Sequence, residues 1–289
     1  LQGPDYGPGA AGKWTDAATG DHGDLLDLIA RNRALSRLGE AMDEARLFLA
    51  IPRPPGPTRA PAPTGSSEAA RRLFHAGRPL PGTPAEAYLH ARGITAPLDW
   101  PALRYHPSVY YRETADGPLE LWPAMLAAVS TLDGTITGVL RTWLDRCRPA
   151  KAPLGDPRRA LGHLLGNAVR FGNPSDILAA GEGIETMLAL KSVLPLLPMA
   201  AGLAANHLAA LELSPALRRL YVARDNDKAG LTAANRLRER AAGLDVRELV
   251  PVHADFNLDL CRLGADDLRT RIADQLDLSD QRRFLASVR

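Results

Sequence analysis

Between residues 177 and 252 short apolar runs alternate with stretches of helical periodicity, and that alternation leaves few folds open. Residues 177–180 form an apolar run of strand length, and a helix is predicted from about 184 to 192. Residues 196–201 are again strand-like, a helix falls near 206–211, and 219–223 make a third strand. From Lys228 to about residue 242 the spacing sets Leu231, Ala234, Leu237 and Ala241 on one helical face, and 246–252 close with a fourth strand. Strands alternating with helices pack as a parallel sheet with covered faces. In such sheets ligands bind beyond the carboxyl ends of the strands.

Acids stand at two of those ends. Gly181-Glu182-Gly183-Ile184-Glu185-Thr186 follows the first strand, and Arg224-Asp225-Asn226-Asp227-Lys228-Ala229-Gly230 follows the third. Successive strands of this kind are usually neighbours, so Glu182, Asp225 and Asp227 are expected to face one another. Carboxylates that close repel unless a cation lies among them. Hard oxygen ligands with neither His nor Cys point to Mg²⁺, or Mn²⁺, shared with substrate phosphates. Asp227 is also well placed simply to cap the helix beginning at Lys228.

Upstream the texture differs. A helix start is expected near Asp24, with apolar Leu25, Leu28 and Ile29, and a second helix from about 38 to 49. Pro52, Pro54, Pro55, Pro57, Pro61 and Pro63 then exclude a helix or an inner strand and mark a linker. Helical patterns resume from about Glu68 and again over 84–92. Apolar runs at 123–129 and 136–140 flank Asp133-Gly134 and predict a β-hairpin. The resulting division is 1–51, a Pro-rich linker at 52–67, an α+β unit at 68–172, and the alternating unit at 173–289.

Charge adds a location. The net charge is only +2, from 35 Lys and Arg against 33 Asp and Glu, and Lys13, Lys151, Lys191 and Lys228 are the only lysines. Much of the Arg excess is compositional, in keeping with a chain that also holds 25 Gly and 24 Pro. Residues 141–172 are nevertheless locally basic: Arg141, Arg146, Arg148, Lys151, Arg158, Arg159 and Arg170 outnumber Asp145 and Asp156 there. A basic, loop-bearing surface of this kind suits an anionic polymer. Cys147 and Cys261 belong to no CxxC pair, so neither a disulfide framework nor a cysteine zinc site is written, and a reducing cytoplasm fits. No apolar run approaches a membrane span, the seven His show no metal-like pairing, and GxxxxGK[ST] does not occur. The four Trp read as packing residues. The chain opens on Leu1 rather than Met, which reads as a fragment or a processed chain.

The acid pattern resembles the Toprim domain shared by DnaG-type primases, topoisomerases and some nucleases. The likeness to a DnaG-type catalytic core extends to Tyr88-Leu89-x-x-Arg92-Gly93-Ile94, Leu103-Arg104-Tyr105-His106-Pro107, Asp133-Gly134, Gly138-Val139-x-Arg141 and Lys151-Ala152-Pro153. His22-Gly23-Asp24-Leu25-Leu26-Asp27-Leu28-Ile29 is similar to the tail of the zinc-binding domain that precedes such a core, and the relatives in view are primase-like proteins of phages, plasmids and transposons. The resemblance implies an α/β fold: a Toprim-like, four-stranded, mainly parallel sheet with helices, preceded by a small α+β primase-like subdomain and a short helical N-terminal segment. It implies that Glu182 acts in catalysis and, with Asp225, Asp227 and Asp255, surrounds the metal. It implies that Arg141, Lys151, Arg158, Arg159 and Lys228 face nucleic acid or nucleotide, Arg141 above all. Thr186 departs from the pattern, since primases commonly carry an acid there. The family's zinc ligands would precede residue 13, where no Cys stands.

The expected function is Mg²⁺-dependent synthesis of short RNA primers on single-stranded DNA during replication of a mobile element or phage. Its expected partners are a single-stranded DNA template, nucleoside triphosphates and a replicative helicase. A Toprim-type nuclease and a non-catalytic nucleic-acid-binding accessory protein are the alternatives.

Overall fold

The computed structural model describes residues 14–15, 22–48, 66–114, 116–173 and 176–285. The linker prolines and the opening residues to 13 lie outside them. The chain divides into two units, Leu1–Pro63 and Thr64–Arg289.

In the first unit β1 (Trp14–Thr15) and β2 (His22–Gly23) pair antiparallel. Two helices follow, α1 (Leu25–Asn32) and α2 (Leu38–Phe48). The predicted start at Asp24 is a capping box: its side chain accepts from the amides of Leu26 and Asp27, while Asp27 accepts from the Asp24 amide. Arg33 bridges to Glu44 at 2.8 Å and ties the two helices together.

The second unit begins with α3 (Ser67–Ala76) and α4 (Pro84–His90). An antiparallel sheet follows, of β3 (Leu103–Tyr111), β4 (Glu120–Ser130), β5 (Ile136–Trp143) and β6 (Arg158–Gly162), ordered as numbered. The β4–β5 hairpin turns at Asp133-Gly134 as its spacing predicts. Gly134 takes φ +85°, a conformation open to glycine at little cost. One face of this sheet packs Phe74 of α3 against Tyr111, Leu126 and Trp143.

The last part carries β7 (Val169–Phe171), β8 (Ile177–Gly181), α5 (Ile184–Val193), β9 (Met199–Ala201), α6 (Ala205–Ala209), β10 (Arg219–Ala223), α7 (Lys228–Arg240) and β11 (Asp245–Leu249). The helices α8 (Phe256–Leu263), α9 (Ala265–Ala273) and α10 (Leu278–Phe284) complete it. The sheet order is β11-β10-β8-β9-β7. The four expected strands run parallel, and β7 adds a fifth, antiparallel, at the edge beside β9. Sequence assigned that segment to the preceding subdomain, because three residues carry too little periodicity to choose a sheet. The helix α5 is buried nearly all round and packs under α8 and α9. Among the described residues no helix is long and apolar enough to cross a membrane.

Candidate active site

The crossover that places β10 beside β8 brings the acid-bearing turns together. Ala223 pairs with Gly181, the last residue of β8, so the two chains leave the sheet side by side. The approach is tight: a Cβ on Gly181 would sit 2.7 Å from the Ala223 carbonyl oxygen. The Glu182 carbonyl accepts from the Leu203 amide at 2.8 Å, which pins the turn. On the other side the Asn226 amide donates to the Ala254 carbonyl at 2.8 Å. Gly230 lets the first turn of α7 lie on the backbone of Asp225, whose carbonyl oxygen would be 2.5 Å from an added Cβ.

A cavity of about 280 Å³ opens above these turns. Glu182, Asp225 and Asp255 line it with Glu185 and Asp156, and Arg92, Lys151 and Arg158 face them. Glu182 Oε1 and Asp225 Oδ1 are buried and have no hydrogen-bond partner. Burial first, then the charges of Asp225 and Asp227, pushes the Glu182 carboxyl up to about 7. Burial again, then Asp255 and Asp227, pushes Asp225 up to about 6, with Arg158 pulling the other way. Buried polar atoms without partners are costly, and two neighbouring raised carboxyls fit a divalent cation that would supply the missing partner.

Two of the expected acids have a second occupation. Asp227 is exposed, does not line the cavity, and accepts through Oδ1 from the Gly230 amide at 2.7 Å as the N-cap of α7. Asp255 caps α8 in the same way through Leu258, also at 2.7 Å. Among the described residues no three His, Cys, Asp or Glu side chains cluster closely enough to hold an ion by themselves. The four acids therefore do not form a closed cage. Mg²⁺ held here would draw on one or two carboxylates and complete its shell from water and phosphate oxygens.

The basic residues separate into three groups. Lys151 and Arg158 reach the cavity, and both turn to Glu185, at 3.2 Å and 4.0 Å. Arg141 and Arg159 are engaged within the antiparallel sheet. Arg141 donates to the Arg159 and Ala160 carbonyls and stacks on Trp143, while Arg159 donates to the Arg112 carbonyl at 2.6 Å and stacks on Tyr111. Lys228 is exposed at the start of α7 and lines a separate open groove with Asn206, Thr232 and Arg236.

Three residues of this region carry no role in the sequence reading. Tyr88 donates from its hydroxyl to Glu185 at 2.6 Å. Arg92 lies with its guanidinium 5.9 Å from the Tyr88 ring centre, and its buried Nε has no partner. Glu185 is 6% exposed and still ionised: burial alone would raise its carboxyl, but Lys151, the Tyr88 hydrogen bond and Arg158 hold it at about 2. The available signals were the i, i+4 spacing of Tyr88 and Arg92 and an acid three positions after Glu182.

Residues 64–171 match a family described as a domain of unknown function (DUF7146), and residues 177–266 match the Toprim domain family. No curated protein matches the chain. Among solved structures, a DNA primase domain from Pseudomonas aeruginosa is similar at 16% identity and a TM-score of 0.50, over 72% of this chain and 78% of that one. The primase of Aquifex aeolicus, with its zinc-binding and RNA polymerase domains, is 18% identical with a TM-score of 0.46, over 90% of this chain and 72% of that one. Residues 177–266, which carry the acids of the two strand ends, are thus a Toprim domain, and the fold of the chain is similar to that of a DNA primase domain.

Proposed function

We propose that the protein is a Mg²⁺-dependent, primase-like nucleotidyltransferase that makes short RNA primers on single-stranded DNA in the replication of a mobile element or phage. The observation that carries this reading is the cavity itself. Orphaned carboxylate oxygens of Glu182 and Asp225 face Arg92, Lys151 and Arg158 across a space sized for phosphate groups and a cation.

In the reaction a primer 3′ hydroxyl attacks the α-phosphate of an incoming nucleotide, the new O–P bond forms as the bond to pyrophosphate breaks, and the hydroxyl proton departs. Asp225 and Asp227 would hold Mg²⁺, which when bound stabilises the charge developing on the phosphate. Glu182, whose buried Oε1 lacks a partner in the same cavity as Asp225, would share that metal, and the hydroxyl proton leaves to water. Arg92, Lys151 and Arg158 oppose the charge of the triphosphate and of the departing pyrophosphate. The template, the nucleoside triphosphates and a helicase partner belong to this proposal.

The test is primer synthesis on mixed-sequence single-stranded DNA with Mg²⁺ and all nucleotides. Replacing Asp225→Asn together with Asp227→Asn is expected to lower synthesis by about a hundred-fold or more, and unchanged synthesis sinks the proposal. Loss of labelled single strand without nucleotides would identify a nuclease instead. Undiminished DNA binding with no turnover would identify an accessory binding protein.

A further inference from the structure

The position where primases commonly carry an acid is Thr186, and the residue before it, Glu185, is an acid that points elsewhere. Glu185 Oε1 accepts from the Tyr88 hydroxyl at 2.6 Å and lies 3.2 Å from Lys151 Nζ, while Oε2 lies 4.0 Å from Arg158. Its partners come from three segments of the 64–171 part: α4, the residue bridged to Leu144, and the first residue of β6. We propose that Glu185 is a positioning residue that holds Lys151 off the Glu182/Asp225 pair, keeping that pair open for a divalent cation and the ammonium in place to meet a triphosphate.

The geometry gives the reason. Lys151 lines the same cavity as Glu182 and Asp225, each of which has a buried carboxylate oxygen without a partner. The Lys151 backbone is fixed by its bridge to Leu144, but its stem is long and flexible. Without a competing carboxylate, the partnerless oxygens of Glu182 and Asp225 in the same cavity are open to that ammonium, and an ammonium there would occupy the place of the metal. Glu185 supplies the competing charge from a rigid base, the buried first turn of α5, with the Tyr88 hydroxyl fixing its orientation. Arg92 faces the cavity from over the Tyr88 ring, and Asp156, the other acid on that side, takes its own bond from the Arg159 guanidinium.

This inference rests on the metal site of the proposed function, and its test reads metal binding directly, by calorimetric titration of the whole protein with Mn²⁺ and no nucleotide. Glu185→Gln keeps the shape and an acceptor for Tyr88 while removing the charge. It is expected to weaken Mn²⁺ binding about ten-fold, the least that a newly arrived opposite charge does to a carboxylate. Lys151→Met combined with Glu185→Gln removes the intruding ammonium and is expected to restore binding to within about three-fold of the parent protein. Glu185→Asp, which keeps the charge, is expected to bind within a similar factor. In primer synthesis, Glu185→Gln should regain its rate at raised Mg²⁺ while its nucleotide KM stays high.

A Glu185→Gln protein that binds Mn²⁺ as the parent does, or a double variant no better than the single one, overturns the inference. Should Glu185→Gln fail to fold, weak Mn²⁺ binding by the double variant and by Glu185→Asp overturns it equally. A parent protein that binds Mn²⁺ with this variant pattern yet makes no primer overturns the primase reading alone. A parent that binds no Mn²⁺ removes both.

Discussion

Glu182 and Asp225 give the protein a pH signature that a metal should erase. Their carboxyls rise from ordinary values of 4.5 and 3.8 to about 7 and about 6 on folding. Well below the unfolded values, under about pH 3, both groups are protonated whether the chain is folded or not, and they cost nothing. As pH climbs towards 7 the unfolded chain releases these protons first, so the folded state holds more of them and stability falls with pH. Glu185 acts in the opposite sense but in a lower window, since its carboxyl is held at about 2 and its contribution is lost only as pH falls below about 4. The expected outcome is that Mg²⁺ raises the melting temperature more at pH 8 than at pH 5, and that Glu182→Gln flattens the difference. Calorimetry with chelator and with Mg²⁺ reads this, and an equal effect at both pH values counts against the acid pair as the metal site. These two acids were legible in the sequence because each ends a strand, and strand ends define where such sheets bind. Glu185 and Arg92 were not, because what gives them meaning is contact across distant segments: Tyr88 and Glu185 meet 97 positions apart.

The elements differ in how plainly they were written. The helices α5 and α7 and the β4–β5 hairpin follow their periodicity and turn residues to within a few positions. The helices α8, α9 and α10 had no expectation, because seven to nine residues hold too few turns for a face to show. Side-chain caps start two of them: Asp255 starts α8 and Asp277 starts α10, each accepting from a backbone amide. The contact of α10 with the sheet is polar and buried. Asp280, 1% exposed, accepts from Arg219 at 2.5 Å and from the Tyr221 hydroxyl at 2.7 Å. Asp280→Asn removes one of three acids that meet the Arg219 guanidinium, leaving Asp245 at 2.6 Å and Asp277 at 3.4 Å, and is expected to cost about 2 kcal/mol. Urea unfolding measures it, and a change below about 1 kcal/mol would mean the network contributes little. At the other end of the sheet, Gly230→Ala improves the intrinsic propensity of α7 by about 1 kcal/mol. Its Cβ would nonetheless press on the Asp225 backbone from 2.5 Å. Metal affinity is expected to fall by about ten-fold while the melting temperature moves little. Unchanged Mn²⁺ affinity in this variant would show that the loop gives way without moving the acid.

At the scale of the molecule, the fold joins the antiparallel and parallel sheets through one core. Tyr88, Leu103 and Met125 pack in the same buried cluster as Ile184, Met187 and Tyr221, and Trp100 meets Phe171 edge-on with ring centres 6.0 Å apart. Polar ties cross the same boundary: Asn257 donates to the Arg92 carbonyl at 2.8 Å, and the Thr95 and Ala96 amides both donate to Ser192 Oγ at 3.0 Å. A boundary at 172/173 was read from the change of pattern along the chain, where a shared core leaves no trace because each partner looks apolar on its own account. Cutting the chain at 172/173 would uncover apolar side chains of that shared cluster on both parts, at about 1.5–3 kcal/mol each. Exposing them would consume most of the roughly 5–15 kcal/mol that holds a domain together. Residues 64–289 should therefore unfold in one cooperative step, whereas 173–289 alone should show no cooperative melt and should bind an apolar dye. Two resolved transitions in 64–289, or a sharp melt of 173–289, would mean that the Toprim domain stands by itself. In the expected case the cavity exists only where both parts are present, since Arg92, Lys151 and Arg158 come from one and Glu182, Asp225 and Asp255 from the other.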